Sequence, residues 1–123
     1  MITRAWALEF AQEWIAAWNS HDLERILSHY RDDFQMSSPL IVDMMGVANG
    51  TLKGKESIRP YWRRGLSIQP PLHFELQEVL TGVDTIAIYY RSTTRNRMVA
   101  EILRFDSHGN VISGSGLYGE ASA

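Results

Sequence analysis

At 123 residues the chain has the length for one domain with a real core and too little for two. Its net charge is -2 and no basic run exceeds Arg63-Arg64, so it carries no electrostatic footprint for nucleic acid. It has no cysteine, which excludes a disulfide scaffold, a thiol nucleophile and a Cys-ligated metal, and suits a reducing cytoplasm.

Thr3 can cap a helix whose apolar residues Ala7, Phe10, Ala11, Trp14, Ala17 and Trp18 recur on one stripe, predicting helix to about Trp18. Glu9, Gln12 and Glu13 interrupt that stretch, so it is neither the apolar core of a signal peptide nor a membrane span. The expectation is a protein neither exported by that route nor embedded in a membrane. Asn19-Ser20-His21 breaks the helix, and Asp22 can cap a second one carrying Leu23, Ile26, Leu27 and Tyr30. Asp32 and Asp33 are expected to cap or end it.

Phe34, Met36 and Ser38 then share one face of a short strand that Pro39 terminates. Residues 39–54 read as an irregular, Met-bearing loop, either a plain connection or a lid. Lys55 to Leu66 has Ile58, Tyr61, Trp62 and Leu66 at helical spacing, with Gly65 suited to its end. Pro60 is harmless only in the first turn, so either Ser57 is the cap or an earlier start is kinked. Pro70-Pro71 forces extended chain, and β-type runs follow at Leu72 to Leu80 and Thr85 to Ser92.

Arg97 to Gly119 reads as a hairpin around the turn formers Asp106 to Asn110. In its first strand Val99, Glu101, Leu103 and Phe105 share a face, so one carboxylate sits in an apolar row. If that row is interior, Glu101 must be paired, hydrogen-bonded or neutral, because an isolated buried charge costs too much. An arginine such as Arg91 on the neighbouring strand is one partner; a dry cavity that keeps the acid protonated is the other solution. Gly114 and Gly116 share the parity of Tyr118, which thins that face and leaves room for a cavity.

The order helix, helix, short strand, loop, helix and four long strands predicts an α+β fold, with three helices on one face of a curved antiparallel sheet. Such a cone suits a small ligand. His21, His29, His73 and His108 are scattered without metal-site spacing, and no phosphate loop or nucleophile elbow is present, so neither metal nor cofactor is expected.

Four blocks, WIAAWNSHDL from Trp14, YRDD from Tyr30, GKESIR from Gly54 and RFDSHGNV from Arg104, resemble the nuclear-transport-factor-2-like superfamily. Within it they are most similar to the ketosteroid isomerase and SnoaL-like polyketide cyclase branch. The resemblance spans almost the whole chain, taken as a single domain of residues 1–123, and implies a cone-shaped cavity and a homodimer through the outer face of the sheet. Residue by residue, it puts an oxyanion-hole tyrosine at Trp14, an oxyanion-hole acid at Glu101 and a base aspartate at Ser38. A serine cannot take a proton from carbon as that carboxylate does, so steroid isomerisation by the standard route is not expected.

By family register Tyr90 and Tyr118 point inward beside Glu101. Trp14, Trp18, Tyr30, Met36, Ser38, Tyr61 and Trp62 are the candidate ligand contacts, and Asp43 in the loop is the substitute base. The expected activity is cofactor-independent general acid-base chemistry, of isomerase, cyclase or dehydratase type, on a small, largely apolar carbonyl compound. A non-catalytic binding or dimeric association domain is the alternative.

Overall fold

Thr3 caps the first helix in the computed structural model, which describes residues 1–122, its hydroxyl accepting the Trp6 amide at 3.2 Å. This helix, α1 (Arg4–Ser20), outruns Trp18 because Asn19 is used rather than wasted as a breaker. The Asn19 side chain exchanges hydrogen bonds of 2.8 and 2.9 Å with the backbone of Phe74, tying the helix end to the sheet. His21 ends the helix in a left-handed backbone, φ 58°.

Asp22 caps α2 (Leu23–Leu27) as its sequence predicts, but the helix is short. Tyr30 is not its last residue; it opens strand β1 (Tyr30–Ser37), and Asp32 and Asp33 occupy exposed positions on that strand instead of ending the helix. Pairing decides this: Tyr30 lies opposite Val111 in the sheet, and a register shift between Tyr30 and Gln35 buries Tyr30, Phe34 and Met36 together. The resulting spacing imitates a helix.

Residues 39–54 are not an irregular loop. Ser38 caps α3 (Pro39–Met45), Pro39 takes the first helical position, and Gly46 closes it at φ 68°. Strand β2 (Thr51–Lys53) follows. Helix α4 (Lys55–Leu66) starts after Gly54, so Ser57 is not its cap and Pro60 stands inside it, at a point where only the exposed Glu56 carbonyl loses its helical donor.

Strands β3 (Phe74–Thr81), β4 (Thr85–Ser92), β5 (Arg97–Phe105) and β6 (Val111–Tyr118) follow the predicted order, β3 beginning two residues later than its apolar run. The sheet order is β2-β1-β6-β5-β4-β3, curved and unclosed. It is not wholly antiparallel, since β1 runs parallel to β6. With α3 the described residues form four helices rather than three. Irregularities at Leu76/Glu78 and Arg104/Phe105 bend the long strands, as bulges do. The buried alanines Ala7, Ala11 and Ala17 of α1, which packs on β3, and the buried Ile58, Tyr61 and Trp62 of α4, which packs on β1 and β2, share one core with the inner-face residues Val79, Ile86, Ile88, Val99 and Leu103. Each large side chain so buried contributes about 1.5–3 kcal/mol.

Candidate functional site

Strand alternation carries Val99, Glu101, Leu103 and Phe105 inward, and all four are buried. Across the sheet Glu101 faces Ile88 on β4 and Gly116 on β6, so neither neighbour offers it a charge. Arg91 hydrogen-bonds Asn96 instead, and no ion pair forms with Glu101 among the described residues. The acid is 5% exposed, and its one side-chain partner is Tyr90, whose hydroxyl donates to Oε1 at 3.2 Å. Burial pushes the Glu101 carboxyl up to about 8, with the Tyr90 bond acting in the opposite sense. At neutral pH the acid therefore holds a proton of its own to donate.

The phenols around it stay protonated as well. Burial raises Tyr90, Tyr30 and Tyr118 above the ordinary tyrosine range, and the proximity of Glu101 adds to the rise in each. Tyr61 rises through burial too, moderated by the Ser38 hydroxyl. Trp14, at the position the resemblance gives to an oxyanion donor, spends its indole N–H on the Tyr30 hydroxyl at 2.9 Å. Tyr30 is left with its own proton free to point elsewhere.

A pocket of about 50 Å³ lies between α1, α3, α4 and the sheet. Trp14, Trp18, Tyr30, Met36, Tyr61 and Trp62 line it with Tyr90, Glu101 and Tyr118, so the expected walls and the expected polar group meet at one place. Water occupies about 30 Å³ per molecule in the liquid, so this space suits a very small ligand, or a larger one if unbranched Met36 and Met44 yield. The walls form one aromatic network: Trp14 to Tyr90 at 5.4 Å between ring centroids, Phe74 to Tyr90 at 4.4 Å, Trp18 to Trp62 at 5.2 Å. Such pairs contribute about 0.5–1.5 kcal/mol each beyond their buried area.

Two candidates are not among the residues that line the pocket. Ser38 is buried; its hydroxyl accepts the Leu40 amide as the α3 cap and the Tyr61 hydroxyl at 3.4 Å. Asp43 is exposed on α3 and is not brought near Glu101, although Leu40 and Met44 of the same helix do line the pocket. Nor do the glycines leave the room expected of them. A Cβ at Gly114 would stand 2.9 Å from Met36 Sδ, and one at Gly116 3.3 Å from the Tyr118 hydroxyl, so side chains from the pocket wall fill both places.

Leu72, Phe74, Ser92, Arg95 and Val99 also line the pocket. Ser92 shares parity with Ile88 and Tyr90 on β4, a signal present in the sequence. Arg95 sits in the turn between β4 and β5, where no periodicity tells which way a side chain points.

The profile of the SnoaL-like domain matches residues 11–114. The chain belongs to the SnoaL-like domain family. A SnoaL-like protein of unknown function from Burkholderia thailandensis is 46% identical, with a TM-score of 0.92 over 97% of this chain and 98% of that one. Two more distant structures share the fold of this SnoaL-like chain. One is a candidate hydroxylase from Streptomyces galilaeus, 19% identical with a TM-score of 0.71 over 95% of this chain and 77% of that one. The other is a candidate ketosteroid isomerase from Kribbella flavida, 14% identical with a TM-score of 0.67 over 94% and 78%. No curated protein matches the chain. Among the described residues no helix of this SnoaL-like domain is long and apolar enough to cross a membrane.

Proposed function

We propose that this chain binds a small, largely apolar carbonyl compound and acts on it by general acid catalysis from Glu101, without a cofactor. The observation that carries the reading is a carboxyl group 5% exposed, with no ion pair among the described residues and one phenol donating to it, at the wall of an aromatic pocket. A protonated acid in such a place donates to the oxygen of a carbonyl, and the donation strengthens as that oxygen gains charge. Tyr90 orients Glu101, Tyr30 and Tyr118 offer further hydroxyls, and Trp14 holds Tyr30 in place.

A non-catalytic binding domain is the second reading, favoured by one fact: Glu101 is the single carboxylate among the residues lining the pocket, so no partner base stands opposite it. Proton exchange at the carbon beside the carbonyl of methyl isoamyl ketone, followed by NMR in heavy water, separates the two. Catalysis predicts exchange faster than buffer, falling about a hundredfold or more in Glu101→Gln, the lower end of what positioned acids supply. Equal rates in both proteins refute the acid role. A ketone-dependent rise in melting temperature without exchange leaves the binding reading.

The proposal includes a homodimer through the outer face of the sheet, where Tyr89, Ala100 and Leu117 form one row across β4, β5 and β6, and Tyr89 and Leu117 are exposed. Leu117→Lys should halve the mass seen by light scattering; an unchanged mass rejects that face.

A further inference from the structure

Three buried side-chain atoms have no hydrogen-bond partner among the described residues: Trp18 Nε1, Ser92 Oγ and Arg97 Nε. Trp18 and Ser92 line the pocket, whereas Arg97 stands outside its lining with its guanidinium over the ring of Tyr118, 4.6 Å from the centroid. Ser92 and Arg97 are direct partners across β4 and β5, Phe74 is the partner of Ser92 on its other side, and the Trp18 ring lies 5.8 Å from that of Phe74. Arg95, in the turn joining these strands, is the single cation among the residues that line the pocket, and no carboxylate pairs with it among the described residues.

All four groups donate, and the indole and the guanidinium nitrogens can do nothing else. A buried donor without an acceptor is unfavourable, so Trp18 Nε1 and Ser92 Oγ on the wall of one pocket mark a missing acceptor rather than scattered accidents of packing. Trp18 and Ser92 both line the pocket, which makes its contents the place from which that acceptor comes. One group satisfies planar guanidinium and neutral donors at once: a carboxylate, with two oxygens and four lone pairs.

We infer that the ligand of this pocket is a small keto acid, its carboxylate held at the Arg95, Ser92 and Trp18 end and its carbonyl directed to Glu101. The inference rests on the reading of Glu101 as a carbonyl donor and adds the second half of the ligand to it. The rung of Ser92 and Arg97 lies about 13 Å along β5 from Glu101 at the strand's rise per residue, a distance that the long Arg95 side chain and the ligand have to cover together. Arg95 is then the residue that selects acids over neutral ketones.

Calorimetric titration with two probes of nearly the same shape tests this: levulinate, a ketone with a carboxylate, and methyl isoamyl ketone, where an isopropyl group replaces it. Levulinate should bind about tenfold more tightly to the natural chain, the worth of one charge-assisted contact. Arg95→Gln should remove that preference by weakening levulinate alone, and Ser92→Ala should weaken levulinate a few-fold. Equal or tighter binding of the neutral ketone, or levulinate affinity unchanged in Arg95→Gln, overturns the keto acid assignment while leaving Glu101 as a carbonyl donor. If neither probe binds, both readings fall.

Discussion

Tyr90 and Glu101 are diagonal neighbours on paired strands, and the Tyr90 hydroxyl stands 3.2 Å from Glu101 Oε1, with no ion pair to the acid among the described residues. The carboxyl rises from its ordinary value of 4.5 to about 8 on folding, burial being the cause. Between those values the folded chain binds more protons than the unfolded one, so stability is greatest below the lower and falls as pH rises toward the upper. The slope is on the order of 1.4 kcal/mol per pH unit for one group. Urea unfolding at intervals from pH 5 to pH 8 should show this decline in the natural chain and lose most of it in Glu101→Gln. A parallel decline in both proteins would mean another group causes it.

Tyr90→Phe removes a donor to the carboxylate and so should raise the Glu101 value further, because that bond opposes the effect of burial. The carboxyl carbon followed by NMR reads this directly; a titration moving toward the ordinary range would show that Tyr90 does not stabilise the charged form.

The buried hydrogen bond from Trp14 Nε1 to the Tyr30 hydroxyl joins α1 to β1. Tyr30→Phe keeps the ring and strands the indole N–H, with an expected cost of about 1–3 kcal/mol in unfolding free energy. A cost under about 0.3 kcal/mol would mean water already serves the indole.

Gly114 faces Met36 Sδ at 2.9 Å and Leu103 Cδ2 at 3.1 Å from where a Cβ would stand. Gly114→Ala should cost about 1–3 kcal/mol by overpacking. Combined with Met36→Ala, which vacates the space, it should cost less than the sum of the two single changes. Strict additivity would put the strain elsewhere.

Asp43 is exposed on α3. Asp43→Asn should shift stability by no more than about 0.5 kcal/mol and leave ketone exchange unchanged. Loss of exchange in that variant would return Asp43 to the site.

Local periodicity decided much of this molecule. The alternation around Glu101, the helix Lys55–Leu66, the caps at Thr3 and Asp22 and the order of the four long strands follow from side-chain period and turn chemistry, which act between near neighbours. The four blocks of family resemblance pointed to the fold and to a cavity, and helical spacing put Trp14, Trp18, Tyr61 and Trp62 on apolar faces, though not whether those faces line a pocket or fill a core. Tertiary pairing decided the rest. Tyr30 left its helix because β6 offers β1 a parallel edge; α3 formed where Gly46, Asn49 and Gly50 read as loop. The space promised by Gly114 went to Met36, a residue far away in sequence. Whether Glu101 met an arginine or kept its proton, and that Arg95 turns to the same pocket, depended on which strands adjoin and how their turn folds, contacts that no local pattern encodes.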